Sequence, residues 1–255
     1  MAGRKKYQNF FEALYQLSLN GMNIGGGTST DSSGESYAME QINLRFRGTG
    51  SLTIFDVGAN VGNYSILLNN VFGAKAKILA FEPSKKTFQK LLLNTTNLTN
   101  ISHYNFGFGN GDRKLTLFSN ADESGLASLY QRKLDHINIL MDKTEEIEIK
   151  TIDSFCFENK ITHIHFLKLD VEGHELKVLE GAKNIILSNG IDYIQFEFGG
   201  CNIDSGTYFK DFFYQLTDKY YIHRIVKDGL CRIEKYNEIY EAFTTTNYLA
   251  ERINI

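Results

Sequence analysis

The stretch FDVGANVGNYS (55–65) joins two kinds of pattern, and its reading decides the fold. Before it runs LTIF (52–55), a short apolar segment of strand type. After it, Tyr64, Leu67, Leu68 and Val71 recur at i, i+3, i+4 and i+7, one face of a helix, and Gly73 stops it. Between them sit Gly58, Asn60 and Gly62. The spacing is G-x-N-x-G, not the G-x-G-x-x-G of a dinucleotide-binding turn, and no G-K-[ST] favours a triphosphate. A turn so rich in glycine lets a ligand approach backbone where a side chain would clash.

The alternation continues on both sides. KILAFEP (77–83) is a second apolar run. SKKTFQKLLLN (84–94) follows as a helix capped by Ser84, with Phe88, Leu91 and Leu92 on one face. ISHYNFGFG (101–109), IHFLKLD (164–170) and IDYIQFEF (191–198) read as further strands, and HELKVLEGAKNIIL (174–187) as a helix ending at Asn189-Gly190. KLTLFS (114–119) and EIEIKTI (146–152) are strand-like pieces in a less regular region. The tail, 220–255, is aromatic and β-rich, with a hairpin signal at Asp228-Gly229. Strands alternating with helices predict an α/β fold with a largely parallel sheet and right-handed crossovers. Ligands then bind beyond the carboxyl ends of the strands.

The 255 residues suit one sizeable domain, here 51–255. Residues 1–50, an amphipathic helix and a Gly/Ser-rich loop (23–36), belong to that domain or cover it, and 24–40 is a candidate to order over a ligand. A formal charge of −3 argues against a nucleic-acid binder. Cys156, Cys201 and Cys231 form no C-x-x-C pair, and with no disulfide framework they suit a reducing, cytoplasmic setting. No run approaches the ~20 apolar residues of a membrane span.

Each strand end carries a candidate group. Asp56 closes the first and would repel a pyrophosphate while holding an ammonium. Glu82 closes the second, 20 residues after Gly62, the spacing of a ribose-binding acid. A ribose with a compact zwitterionic tail fits both. Phe106, Gly107 and Phe108 offer a flat edge with free amides that suits adenine, and Asp112 stands ready to accept from its amino group. A central parallel strand should be apolar on both faces, yet Lys168 interrupts the fourth and Asp170 ends it. On the fifth, Gln195 and Glu197 take the face opposite Ile194, Phe196 and Phe198. If these strands are neighbours, Lys168, Asp170 and Glu197 converge, either as a ligand site or as an ion pair that fixes register.

FDVGANVGNYS, FEP, LKLDVEGHELKVLEGA and FEF, with GMNIGG and SGE upstream, together resemble the FkbM-type S-adenosylmethionine-dependent methyltransferases. The resemblance spans about 21–252. It implies the Rossmann-like class I methyltransferase fold, seven strands in the order 3-2-1-4-5-7-6 with the last antiparallel, the final two near 221–226 and 242–249. It implies S-adenosyl-L-methionine as cofactor and S-adenosyl-L-homocysteine as product. Asp56, Gly58, Asn60 and Gly62 would shape the methionine pocket, with Tyr64 beside them. Glu82, with Pro83, would meet the ribose, Phe106 to Phe108 would flank adenine, and Asp170 would lie near the amino-acid portion or the sulfonium.

The resemblance further implies a hydroxyl acceptor on a sugar, glycan or secondary metabolite. Such an acceptor needs a general base, for which the ordered candidates are Asp170, Glu197, Glu172 and His174; Lys168 would tune a neighbouring carboxylate or the developing alkoxide. Asp170, Glu172 and Glu197 also suit magnesium or calcium, though no spacing demands a metal. A nicotinamide-dependent oxidoreductase and a non-catalytic cofactor-binding module are the competing readings. His163 and His165 read as structural. Gly125, Ser128 and Tyr130, within 120–144, face the acceptor or cover the cofactor. Tyr208, Phe209, Phe212 and Phe213 pack the sheet or a second subunit, which leaves the oligomeric state open.

Overall fold

The computed structural model describes residues 2–26 and 33–254. The linker and lid expectations for 23–36 and 24–40 therefore fall partly outside the described residues. Helix α1 (Gln8–Gly21) leads to α2 (Glu35–Arg45). Then β1 (Leu52–Val57), α3 (Asn63–Phe72), β2 (Ala76–Phe81), α4 (Lys85–Asn94) and β3 (Ile101–Tyr104) form the first βαβαβ unit. After β4 (Gly107–Phe108), β5 (Arg113–Ser119) and β6 (Lys143–Lys150), the chain makes α5 (Ile152–Glu158), β7 (Ile164–Leu169), α6 (Glu175–Glu180), α7 (Lys183–Leu187) and β8 (Ile191–Phe198). It closes with α8 (Cys201–Ser205), α9 (Phe209–Leu216), β9 (Tyr220–Val226), β10 (Gly229–Ile233) and β11 (Thr246–Arg252).

The main sheet runs β10-β9-β11-β8-β7-β1-β2-β3. From β3 to β8 all neighbours are parallel, and β11 lies antiparallel to both β8 and β9. This is the class I methyltransferase order with an eighth strand added: β10 turns back from β9 at the Asp228-Gly229 signal, pairing Gly229 with Val226. β11 at 246–252 begins later than the expected 242. A separate three-stranded sheet, β4-β6-β5, stands beside the main one.

Two elements expected as single pieces are broken, each by a tertiary contact. The 101–109 run splits because the Asn105 side-chain amide donates to the carbonyls of Glu82 (2.9 Å) and Pro83 (3.1 Å), turning the chain out of the main sheet into the small one. The 174–187 helix becomes α6 and α7. At Gly181 a Cβ would lie 2.0 Å from the Gly109 carbonyl, so the helix passes hard against that loop. The Asp153 carboxylate then accepts from Asn184 N and Ile185 N and starts α7 anew.

Alternation along each strand fills two apolar layers. Phe55, Phe81, Phe155 and Phe196 pack on one face; Ile54, Ile78, Phe166 and Tyr193 pack on the other, under α2 and α3. Phe209, Phe212 and Phe213 of α9 are buried against the sheet, and Phe212 stacks on Phe196 at 4.9 Å, so these three pack the sheet, whereas Tyr208 is exposed. Each such ring contributes about 1.5–3 kcal/mol through burial. Both layers hold the carboxyl ends of β1, β2, β7 and β8 side by side.

Candidate active site

A cleft partly open to solvent lies at those carboxyl ends. Of the residues singled out in the sequence, Gly58, Asn60, Glu82, Pro83, Gly107, Phe108, Asp170, Glu172, His174 and Glu197 line it.

The turn after β1 is shaped first by the protein itself. Gly58 has φ +83°, and a Cβ there would sit 1.8 Å from the Asp170 carbonyl. Gly62 has φ +95°, and its Cβ would meet Leu91 Cδ1 at 2.8 Å. Packing against β7's exit and against α4 thus demands both glycines; the expectation that they serve ligand approach is corrected for Gly62, which lies off the cleft. Asn60 and Glu172, both in the cleft wall, hold left-handed backbone at φ 48° and 51°. Such strain in non-glycine residues persists where surrounding structure enforces it.

Glu82 is held by backbone. Its Oε2 accepts from Asn60 N (3.0 Å) and its Oε1 from Ser84 N (2.9 Å), leaving further lone pairs toward the cleft. Burial pushes its carboxyl up to about 7 against those bonds. Asp56 lies deeper and does not reach the cleft wall. It accepts from Ser65 Oγ at 2.5 Å, and burial pushes it up to about 6. It lies beneath the turn, so of the two expected ways of holding a ligand ammonium, directly or through water, the direct one is not open to it.

Beside it, β7 and β8 bring their odd charges together, Lys168 opposite Gln195 in register. Lys168 Nζ is 3.2 Å from Asp170 Oδ2, 3.8 Å from Glu35 Oε1 and 5.0 Å from the Tyr64 ring centre. Gln195 Nε2 donates to Glu35 Oε1 (2.6 Å), and Tyr64 OH donates to Gln195 Oε1 (2.7 Å). Tyr64 and Lys168 therefore sit behind the cleft rather than in its wall. Burial alone would lower the lysine, but Asp170, Glu35, Glu197 and Asp56 outweigh it and hold the ammonium above its ordinary range. Glu35, within the SGE motif but given no role there, is the partner that sequence reasoning missed; only the fold brings it across to β7.

The remaining acids are short of cations. Arg132 Nη1 donates to Glu172 Oε2 (2.7 Å), and its Nε lies 3.6 Å from Asp204. Burial and then Asp170 still push Glu172 up to about 8. Glu197 is raised well above the carboxylate range by burial and by Asp170 and Glu172. His174 shares a hydrogen bond with Tyr130 OH through Nδ1 (3.0 Å), and burial, with Arg113 and Lys177, pushes it down to about 4. Its Nε2 and the Oδ1 of Asn60 are buried without a hydrogen-bond partner, and both residues line the cleft. Such orphaned polar atoms fit a ligand carrying hydroxyl and heteroaromatic nitrogen groups.

The facing wall is apolar: Leu117, Ile147 and Ile149 of the small sheet, with Leu129. The alternating Leu115/Leu117 and Ile147/Ile149 were its sequence signal. Gly125 lines the cleft, while Ser128 Oγ donates to the Glu172 carbonyl (2.7 Å). Two adenine-flanking expectations move. Phe106 is buried among Phe81, Phe108 and Phe155 and does not line the cleft. Asp112 is exposed and its Oδ1 accepts from Thr151 N (2.7 Å) and Ser154 Oγ (3.2 Å), fixing the start of α5. Among the described residues, the potential metal-ligand atoms that gather within 4.8 Å belong to His163, His165 and Asp192, not to Asp170, Glu172 and Glu197.

The sheet order and the cleft at its carboxyl edge define a class I methyltransferase architecture. The chain belongs to the FkbM methyltransferase family, whose Methyltransferase FkbM domain matches residues 56–222. It is 29% identical over 143 residues to Methyltransferase 1 of Beauveria bassiana, covering 50% of this chain and 57% of that one. It is 28% identical over 139 residues to the hexuronic acid methyltransferase AglP of Haloferax volcanii, covering 53% of this chain and 52% of that one. The chain thus spans about half the length of these curated relatives. Among solved structures it resembles the O-methyltransferase from Bacillus cereus in complex with SAH, at TM-score 0.46 and 10% identity over 98% of this chain and 93% of that one. Among the described residues no helix is long and apolar enough to cross a membrane.

Proposed function

We propose that the chain is an S-adenosyl-L-methionine-dependent O-methyltransferase acting on a hydroxyl of a sugar, glycan or secondary metabolite. The observation that carries this reading is the meeting, in one cleft of an FkbM-family domain, of Glu82 with free lone pairs, of Asp170 and of an apolar wall. The similarity to a hexuronic acid methyltransferase supports a sugar as acceptor.

In this reading Glu82 accepts from the ribose hydroxyls. Gly58, Asn60 and Asp170 border the amino-acid portion. Pro83, Gly107, Phe108 and Ile149 sandwich the adenine, and the unpartnered His174 Nε2 supplies a polar contact to it. The bound cofactor supplies an electrophilic methyl on a good leaving group. The chain's work is then to align the acceptor and remove one proton.

Asp170 is the base. Of the cleft carboxylates it alone stands against Lys168 at ion-pair distance while its side chain stays 40% exposed. Glu197 and Glu172, both raised by burial and by neighbouring acids, are poorer bases for this step and flank Asp170 in the cleft. Lys168 stays an ammonium and balances the charge as Asp170 gains or loses a proton. His174, pushed down to about 4, is too weak a base near neutrality.

The test is transfer of labelled methyl from S-adenosyl-L-methionine to a panel of uronic acids, neutral sugars and phenols. Label should appear on a hydroxyl oxygen of at least one acceptor and be lost in Asp170→Asn. Tight product binding with no transfer to any hydroxyl acceptor would instead favour a non-catalytic module.

A further inference from the structure

Helix α1 presents its apolar side to solvent. Phe10, Phe11, Leu14, Tyr15 and Leu17 are 58%, 37%, 45%, 55% and 68% exposed. At 100° per residue these five share one side of the helix, whereas Gln8, Glu12 and Gln16 lie on the other. Attachment to the body begins only at its end: Leu19 and Ile24 are buried, Ile24 N donates to Leu19 O (2.9 Å), and Gly25 N donates to Thr245 O (3.0 Å). An unsupported helix of 14 residues is marginal in water, and an aromatic-rich side left in solvent adds cost.

The charge beside that side indicates what covers it. Arg4, Lys5 and Lys6 immediately precede α1 and are exposed. Among the described residues none of the ion pairs engages them. The only acid within α1 is Glu12, on the polar side. Pairing with a second copy fits less well. A strip about 21 Å long and about 10 Å wide covers far less than the roughly 800 Å² per partner of a stable interface, and it offers the cations no acid. An anionic bilayer surface satisfies both features: Phe, Leu and Tyr enter the headgroup–acyl boundary while Arg and Lys meet lipid phosphates and carboxylates.

We propose that α1 docks the protein peripherally on an anionic lipid surface, its Phe10/Leu14/Leu17 side lying in the interface and Arg4, Lys5 and Lys6 on the headgroups. The helix lies in the plane of the surface and spans nothing. The proposal does not depend on the methyltransferase reading.

The experiment is co-sedimentation of the full chain with vesicles of phosphatidylcholine containing about 30% phosphatidylserine, against phosphatidylcholine alone, at low ionic strength. Three cations near the surface should make binding roughly 100-fold weaker on the neutral vesicles. Lys5→Glu/Lys6→Glu should lose the preference for anionic vesicles, and Phe10→Glu/Leu14→Glu should lose binding altogether. Both pairs are exposed, so an unchanged thermal midpoint will show that the body remains folded. Failure to bind anionic vesicles would overturn the proposal, as would binding that Phe10→Glu/Leu14→Glu leaves intact. So would a dimer in sedimentation velocity that the same substitution dissociates, since α1 would then belong to a second copy.

Discussion

The two ends of the β7–β8 pair both bury charge, and they differ in how far that charge is answered. At the amino end, Asp192 accepts from Arg252 Nη2 (2.7 Å) and lies 2.8 Å from His163 Nε2, and His165 Nδ1 accepts from Thr53 N (3.0 Å). The buried Asp192 there is answered by both Arg252 and His163; because His165 Nδ1 is taken by a backbone N–H, its proton sits on Nε2, which disfavours a metal at this His-His-Asp cluster. At the carboxyl end, Asp170, Glu172, Glu197 and Glu35 share Lys168 and Arg132, Glu172 and Glu197 are pushed up, and a cleft opens beside them. Buried charge alone therefore does not mark a site. Buried charge left short of partners, beside open space, does.

The sharpest way to break this contrast is catalytic. Asp170→Asn should lower turnover by about 10²–10⁴-fold, the usual worth of a general base, while affinity for S-adenosyl-L-homocysteine changes little. Unchanged turnover would remove Asp170 as the base. Next comes stability. Lys168→Met leaves buried carboxylates without their cation and should cost about 3–5 kcal/mol in urea unfolding. Arg252→Met should also destabilise, by stranding Asp192, but with cofactor affinity unaltered; an affinity loss there would erase the distinction between the two ends.

A smaller effect is expected at Glu82, the proposed ribose acceptor. Glu82→Gln should weaken S-adenosyl-L-homocysteine by roughly 10–100-fold in calorimetry, as hydrogen bonds to a charged acceptor are lost. The smallest is a pH dependence. Glu82 and Glu175 are pushed up to about 7 by burial, so the folded protein binds more protons than the unfolded chain between their ordinary range and that value. Each contributes stability that is present at low pH and lost as pH rises through about 7, about 1 kcal/mol per group between pH 6 and 8. His174, pushed down to about 4, acts in the opposite sense, losing stability only as pH falls below its unfolded value toward 4. Thermal melting of the ligand-free protein should thus fall from pH 6 to 8, and Glu175→Gln should flatten that slope. A slope of the opposite sign would contradict the buried state of these acids.

Much of the fold was legible because strand and helix periodicities are local. The runs at 52–55, 77–83, 164–170 and 191–198 all became central strands, and the acids at their ends were visible as departures from an apolar pattern. What escaped was set at long range. Gly62 looked like a ligand clearance, but its φ and its contact with Leu91 come from packing, and Gly58, which does line the cleft, is required by the Asp170 carbonyl as well. Asp112 looked like an adenine partner until α5 arrived to take its carboxylate. Glu35 had no visible role because its partners Gln195 and Lys168 lie on strands far along the chain. The apolar wall of Leu117 and Ile147 needed β5 and β6 to fold over the cleft as a second sheet.

The central claim, that the carboxyl-end cleft is a sulfonium-nucleoside site, is met most directly by calorimetric titration with S-adenosyl-L-homocysteine, NADH serving as control. Micromolar binding of the first, weakened in Glu82→Gln, and none of the second is the predicted result. Binding of NADH without S-adenosyl-L-homocysteine, or S-adenosyl-L-homocysteine binding indifferent to Glu82, would contradict it.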